Sequence, residues 1–146
     1  MRIHAIPADV VDRARKTVDE HHQHLAEVPG SPLRCCLGRS GEGEPVVLFR
    51  YSPTAGRGVY EEVGPVFVHA EACDGPARTD VLPEALSKAA RVVRAYDGDG
   101  RIHTGELAAS GELESVVSTL LADPVVVEVQ VRSVSHGCFL FAVTRD

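Results

Sequence analysis

The stretch RVVRAYDGDGRIHTGEL, Arg91–Leu107, decides the fold. Two runs with strand-like composition, Arg91–Tyr96 and Arg101–Leu107, flank Asp97-Gly98-Asp99-Gly100. Successive Asp-Gly pairs supply the positive-φ positions of a tight hairpin turn, so the stretch predicts two antiparallel strands joined locally. A second hairpin follows at the C-terminal side. Val125–Ser133 and Gly137–Arg145 read as its strands, and period-two alternation puts Val125, Val127, Val129 and Val131 on one buried face.

Between these hairpins, Leu113, Val116, Val117, Leu120 and Leu121 form a helical stripe, with Ser110 as its expected cap and Asp123-Pro124 as its end. Toward the N-terminus, Val46–Tyr51 and Gly64–Ala70 read as strands joined by the glycine-containing loop Ser52–Val63. Arg2–Ile6 reads as a first strand, and Val10, Val11, Ala14 and Val18 define a helix opening at Pro7 or Ala8. His21–Glu44, rich in glycine, proline and histidine, is expected to be a long connection with short ordered pieces. The fold class is therefore α+β: one domain over 1–146, mainly an antiparallel sheet of about six to seven strands with two main helices.

Composition narrows the functional classes. A hydrophobic fraction of 44% beside 25% charged residues is globular. The formal charge of −6 lacks the overall basicity of a phosphate-backbone binder, so no nucleic-acid partner is expected. The longest apolar runs, Val125–Val127 and Phe139–Val143, fall far short of the ~20 residues of a spanning helix, so no membrane partner is expected either. Cys35, Cys36, Cys73 and Cys138 are too few and too irregularly spaced for a disulfide scaffold. Reduced thiols in the cytoplasm are the expectation.

Two chemistries compete for the site. In Ser52–Val63, Gly56 and Gly58 permit close approach of backbone N–H groups, and Arg57 offers a planar fork for phosphate or carboxylate. This favours a pocket for a small anionic metabolite or nucleotide, with Arg57, Tyr60, His69 and Arg132 as its polar groups. The alternative is a metal-binding or thiol-dependent enzyme using Cys36, His69, Cys73 and Cys138, with zinc as the only implied cofactor. No paired CxxC units and no HExxH helix support it, and buried free cysteines are ordinarily small hydrophobes. His21, His22 and His24 are expected as surface groups near the end of the first helix.

Several motifs in order carry a family likeness: Pro32-Leu-Arg-Cys-Cys-Leu37, Tyr60-Glu-Glu-Val-Gly-Pro-Val-Phe-Val-His-Ala70 with Cys73, Arg94-Ala-Tyr-Asp-Gly-Asp-Gly-Arg-Ile102, and Val131-Arg-Ser133 followed by Gly137-Cys-Phe139. From about residue 32 to 146 the chain resembles the bacterial family known as Domain of Unknown Function 1203. The resemblance implies a small single-domain bacterial protein and carries over no catalytic residues. The family's motif cysteine corresponds to Cys36. Here Cys35 duplicates that thiol, and His136 stands where the family pattern has an aromatic residue.

Overall fold

The computed structural model describes residues 1–146. Its elements, in chain order, are β1 (Arg2–His4), α1 (Ala8–Lys16), β2 (His22–Leu25), β3 (Val46–Tyr51), β4 (Gly64–His69), α2 (Glu84–Ser87), β5 (Arg91–Asp97), β6 (Ile102–Ala108), α3 (Leu113–Ala122), β7 (Val126–Ser133) and β8 (Phe139–Thr144). A single turn of 3-10 helix at Gly58–Tyr60 interrupts the loop between β3 and β4. The class is α+β, with two long helices. The strands number eight and divide into two sheets, β1-β8-β7-β5-β6 and β2-β3-β4, every neighbouring pair antiparallel.

The larger sheet separates two apolar clusters. α3 packs Leu113, Val117, Leu120 and Leu121 against Val93, Ala95, Val129, Val131, Phe141 and Val143. The second cluster joins Val11 and Ala14 of α1 to Val46, Val47, Phe49, Val66 and Val68 of the smaller sheet, with Phe139 and Ala142 of β8. Alternation puts Phe141 and Val143 of β8 on one side and Ala142 on the other, and a register slip between Val131 and Arg132, which leaves Leu140 as an extra residue, brings Phe139 to the side of Ala142.

The Asp97–Gly100 turn forms as read. The Asp97 carboxylate accepts the N–H groups of Asp99 and Arg101 at 2.9 and 3.0 Å, and Gly100 alone of the two glycines takes positive φ, at 79°. The valine face differs from the expected alternation. Register slips where Asp97 pairs with Val126, so Val127 is an extra residue, and the bulge turns it outward while Val126, Val129 and Val131 are fully buried. Val125 lies before the strand and is also exposed. Ser110 does not cap α3. Its hydroxyl donates to the Lys88 carbonyl at 2.7 Å, and Glu112 occupies the cap position without a side-chain bond.

The 21–44 connection carries short ordered pieces, as expected, but the histidines are not at the end of the first helix. α1 stops at Lys16, and His22 and His24 lie on β2 instead of the helix end. His22 stacks on Phe49 at 5.7 Å, and His24 bonds the Thr17 carbonyl through Nε2 at 2.7 Å. Further along, Leu33 forms a parallel bridge to Phe67, pinning the following residues beside β4.

Candidate functional site

The 31–40 segment folds back on itself. Pro32 pairs with Arg39, the Leu33 N–H donates to the Gly38 carbonyl at 2.8 Å, and the Leu37 N–H donates to the Leu33 carbonyl at 2.9 Å. Closing this turn places Leu37 at φ 62°, a left-handed conformation that is uncommon for a bulky side chain, and burial of that side chain in the core holds it there. The extended arm of the turn lies between Ile6, whose N–H donates to the Arg34 carbonyl at 3.0 Å, and Phe67, whose carbonyl accepts the Arg34 N–H at 2.9 Å. Cys35 thereby sits beside the end of β4, where His69 emerges.

Three donor atoms converge there. The ligand atoms of Cys35, His69 and Cys73 all lie within 4.8 Å of one another. Cys35 Sγ is 3.6 Å from His69 Nδ1 and also accepts the His69 backbone N–H at 3.2 Å. Cys36 Sγ stands 3.9 Å from the same Nδ1. On the far side of the ring, Nε2 meets Glu44 Oε2 at 3.1 Å, and Glu44 is itself held by the Gly41 N–H on Oε1 at 2.6 Å. Arg15 of α1 ties the group together. Its Nε donates to the His69 carbonyl at 2.9 Å, and its Nη2 points at Cys73 Sγ at 3.7 Å.

The electrostatics favour anionic sulfur at Cys36 and Cys73 and a protonated thiol at Cys35. Cys36 is drawn down to about 6, first by the hydrogen bond from the Cys35 thiol, with burial opposing and the Gly38 N–H and His69 assisting. Cys35 is pushed up, by that same hydrogen bond and then by burial, so the adjacent pair holds one proton on Cys35. Burial raises the Cys73 thiol, but the Gly75 N–H and hydrogen bonds from His69, Cys35 and Arg15 outweigh it and leave it below its ordinary value. For His69, burial works against the charged ring, and Cys73, Cys36 and Glu44 together overcome it, so its pKa is raised.

Of the groups of the anion reading, Arg57 and Arg132 are each paired to a carboxylate and are linked through Glu128 and Gln130, whose Nε2 donates to Glu128 Oε1 at 2.9 Å, while His69 lies in the thiol cluster. Arg57 pairs with Glu128 at 3.1 Å and lies 5.0 Å above the Tyr96 ring, so it closes the 52–63 loop onto β5 and β7. Tyr60 ends the 3-10 turn, half-buried. Arg132 pairs with Glu62 at 2.9 Å and bonds Gln130 Oε1 at 3.0 Å. The loop's Gly56 N–H is taken by Glu61 Oε1 at 3.1 Å.

Of the thiol set, His69 and Cys73 come together with Cys36 at the margin, while Cys138 lies in the turn before β8, its Sγ 3.8 Å from the His136 carbonyl. Cys35, noted in the sequence as a duplicate thiol but left out of this set in favour of Cys36, occupies the centre. No spacing rule points to it. Its signal is the residue doublet itself, read together with a parallel bridge that only the tertiary fold supplies.

The chain matches the family described as "Protein of unknown function (DUF1203)" over residues 30–145, and it belongs to that family. No curated protein and no solved structure matches it. No helix is long and apolar enough to cross a membrane.

Proposed function

We propose that this member of the DUF1203 family binds a divalent cation of the zinc class through Cys35, His69 and Cys73. The observation that carries the reading is the separation of donor atoms. Zinc bond lengths of about 2.3 Å to sulfur and about 2.0–2.1 Å to nitrogen give a tetrahedral S···N edge of roughly 3.6 Å. The Cys35 Sγ to His69 Nδ1 distance is 3.6 Å. The surroundings fit the same chemistry. A ligating histidine commonly gives its other ring nitrogen to a carboxylate, here Glu44, and thiolates are stabilised by donors such as the His69 N–H and Arg15. Two thiolates and a neutral imidazole balance a dication, leaving a fourth position for Cys36 or water.

Zinc stoichiometry of the purified protein, followed by cobalt substitution, tests the reading. One equivalent of metal and intense sulfur-to-cobalt absorption are expected, both lost in Cys73→Ser and His69→Ala. Cys36→Ser retains the metal if water completes the shell and weakens it if Cys36 does. A protein that takes up no zinc or cobalt at micromolar concentration, or whose cobalt spectrum survives Cys73→Ser, overturns it.

A second reading is favoured by the line Cys36–His69–Glu44. In metal-free protein, Cys36 Sγ gives its proton to His69 Nδ1 while Glu44 holds Nε2–H, the arrangement of a base-activated thiol nucleophile. Selective alkylation of Cys36 by iodoacetamide, blocked by zinc and slowed in His69→Ala, is expected. Equal labelling of all four cysteines removes it.

A further inference from the structure

Beside the smaller sheet lies a cavity of about 540 Å³, separate in its side chains from the thiol cluster. Arg34, Arg39 and Arg91 line it, and no carboxylate does. Arg34 is 2% exposed and Arg91 7%, so two of these charges are nearly withdrawn from solvent. None of the three takes part in the protein's salt bridges, although burying an unpaired charge is costly.

Their hydrogen bonds follow one pattern. Arg34 donates Nε to the Phe139 carbonyl at 2.8 Å and Nη1 to the Pro32 carbonyl at 2.6 Å. Arg39 donates Nε to Ala85 at 3.2 Å and Nη1 to Gly30 at 2.9 Å. Arg91 donates Nε to Leu86 at 2.7 Å and Nη1 to Ala90 at 2.9 Å. Each guanidinium is thus fixed by main-chain carbonyls, which orient it without neutralising it. Each keeps Nη2 without a protein partner, and in the two buried arginines that atom is not sealed from solvent. Burial and the nearby Arg39 charge both lower the Arg91 pKa, the mark of like charges held together.

From this arrangement we infer that the cavity is a binding site for the phosphoryl group of a phosphorylated small molecule. Three pre-oriented cations without a counter-ion suit a doubly charged tetrahedral oxyanion better than a single carboxylate. The Ser133 side chain adds a hydroxyl to the lining. Leu48 and Phe67 form an apolar wall for the body of the ligand, and the volume lies within the range of small-molecule pockets. The site does not rest on the metal reading, since none of its three arginines belongs to the thiol cluster.

Phenyl phosphate, inorganic phosphate and benzoate, each against chloride at matched ionic strength, provide the probes, with thermal shift and calorimetry as readouts. The same titrations on chelated protein and on Cys73→Ser keep the two readings distinguishable. A saturable rise in Tm is expected for phenyl phosphate, a smaller one for phosphate and the smallest for benzoate. Arg39 is exposed, so Arg39→Gln should fold normally. It should weaken phenyl phosphate at least tenfold while leaving the unliganded Tm unchanged or raised at low salt, because one repelling charge is removed. Arg91→Gln supplies the buried counterpart. A response no greater than that of chloride, or an Arg39→Gln protein that binds as the wild type does, overturns the site. Equal responses to benzoate and phenyl phosphate overturn the phosphoryl assignment.

Discussion

Glu44→Gln is the sharpest perturbation of the proposed metal centre, because it changes the proton on His69 without changing shape. Both Glu44 oxygens are in use, Oε1 accepting the Gly41 N–H at 2.6 Å and Oε2 facing His69 Nε2 at 3.1 Å. The Gly41 N–H and, against burial, the His69 ring hold this carboxyl below its ordinary range, so it is ionised at neutral pH. A carboxylate on Nε2 keeps the proton there and leaves the Nδ1 lone pair free toward Cys35. In the glutamine variant the amide oxygen must stay on the Gly41 N–H, since the amide NH₂ would set donor against donor. The NH₂ then faces Nε2 and selects the tautomer protonated at Nδ1, which blocks ligation. Removing a carboxylate behind a ligating histidine typically weakens metal roughly ten- to hundredfold. Glu44→Ala should cost less than Glu44→Gln, because the side chain is 45% exposed and water can accept from Nε2 in its place. Competition against a chromophoric chelator measures the affinities, and imidazole nitrogen NMR reads the tautomer without metal. A glutamine variant within twofold of wild type, or an alanine variant weaker than the glutamine one, refutes the argument.

Three further outcomes are expected. Val129→Asp places an unpaired carboxylate in a fully buried strand position and should cost ~3 kcal/mol or more, whereas Val127→Asp, on the outward side of the bulge, should stay within about 0.5 kcal/mol; equal denaturation midpoints would contradict the bulge. The hydrogen bond from Arg94, partly opposed by burial, and the Arg132 charge lower the Glu62 carboxyl, so its stabilisation is complete above the unfolded carboxylate pKa and is lost as pH falls through the lower folded value. Glu62→Gln should therefore cost roughly 1 kcal/mol at neutral pH, a figure reduced for the screening of a 42% exposed side chain, and nothing at the acid end; a pH-independent difference would refute it. Denatured, chelated protein should titrate four free thiols, and zinc-loaded native protein fewer, with Cys35 and Cys73 protected; fewer than four after denaturation would reveal a disulfide.

What could be read in advance follows the range of the interactions. The Asp97–Gly100 hairpin, the α3 stripe and the final hairpin are encoded by residues within one or two turns of each other, and all three are present. Val127 escaped because a bulge leaves no mark in a run of alternating valines; the register is set by β5 across the ladder. The division into two sheets was equally hidden, since β2, His22–Leu25, is a short strand polar but for Leu25, paired with β3 across a connection of about twenty residues. The pairing of Arg57 was hidden for a related reason. Its fork suits an anion, but its partner, Glu128, is supplied by a strand far along the chain.

The 31–40 segment shows why neither candidate site was legible as a whole. In extended chain, neighbouring side chains point to opposite sides. Between Ile6 and Phe67, Arg34 therefore turns toward Arg39 and Arg91 while Cys35 turns toward His69. The doublet Arg34-Cys35 thus serves two chemistries, and each needs a partner from elsewhere in the chain: Arg91 of β5, beside the local Arg39, for one, and the end of β4 with the loop after it for the other. Loop composition marks 21–44 as a connection, which is locally correct. The main-chain bonds from Ile6 and Phe67 convert part of that connection into an internal strand-like arm. A loop held on both edges in this way loses the freedom that would average its side chains over solvent, and donor atoms can then be presented at fixed separations. The left-handed Leu37 belongs to the same construction: it reverses the chain immediately after Cys36, and burial of its side chain offsets the strain of that turn.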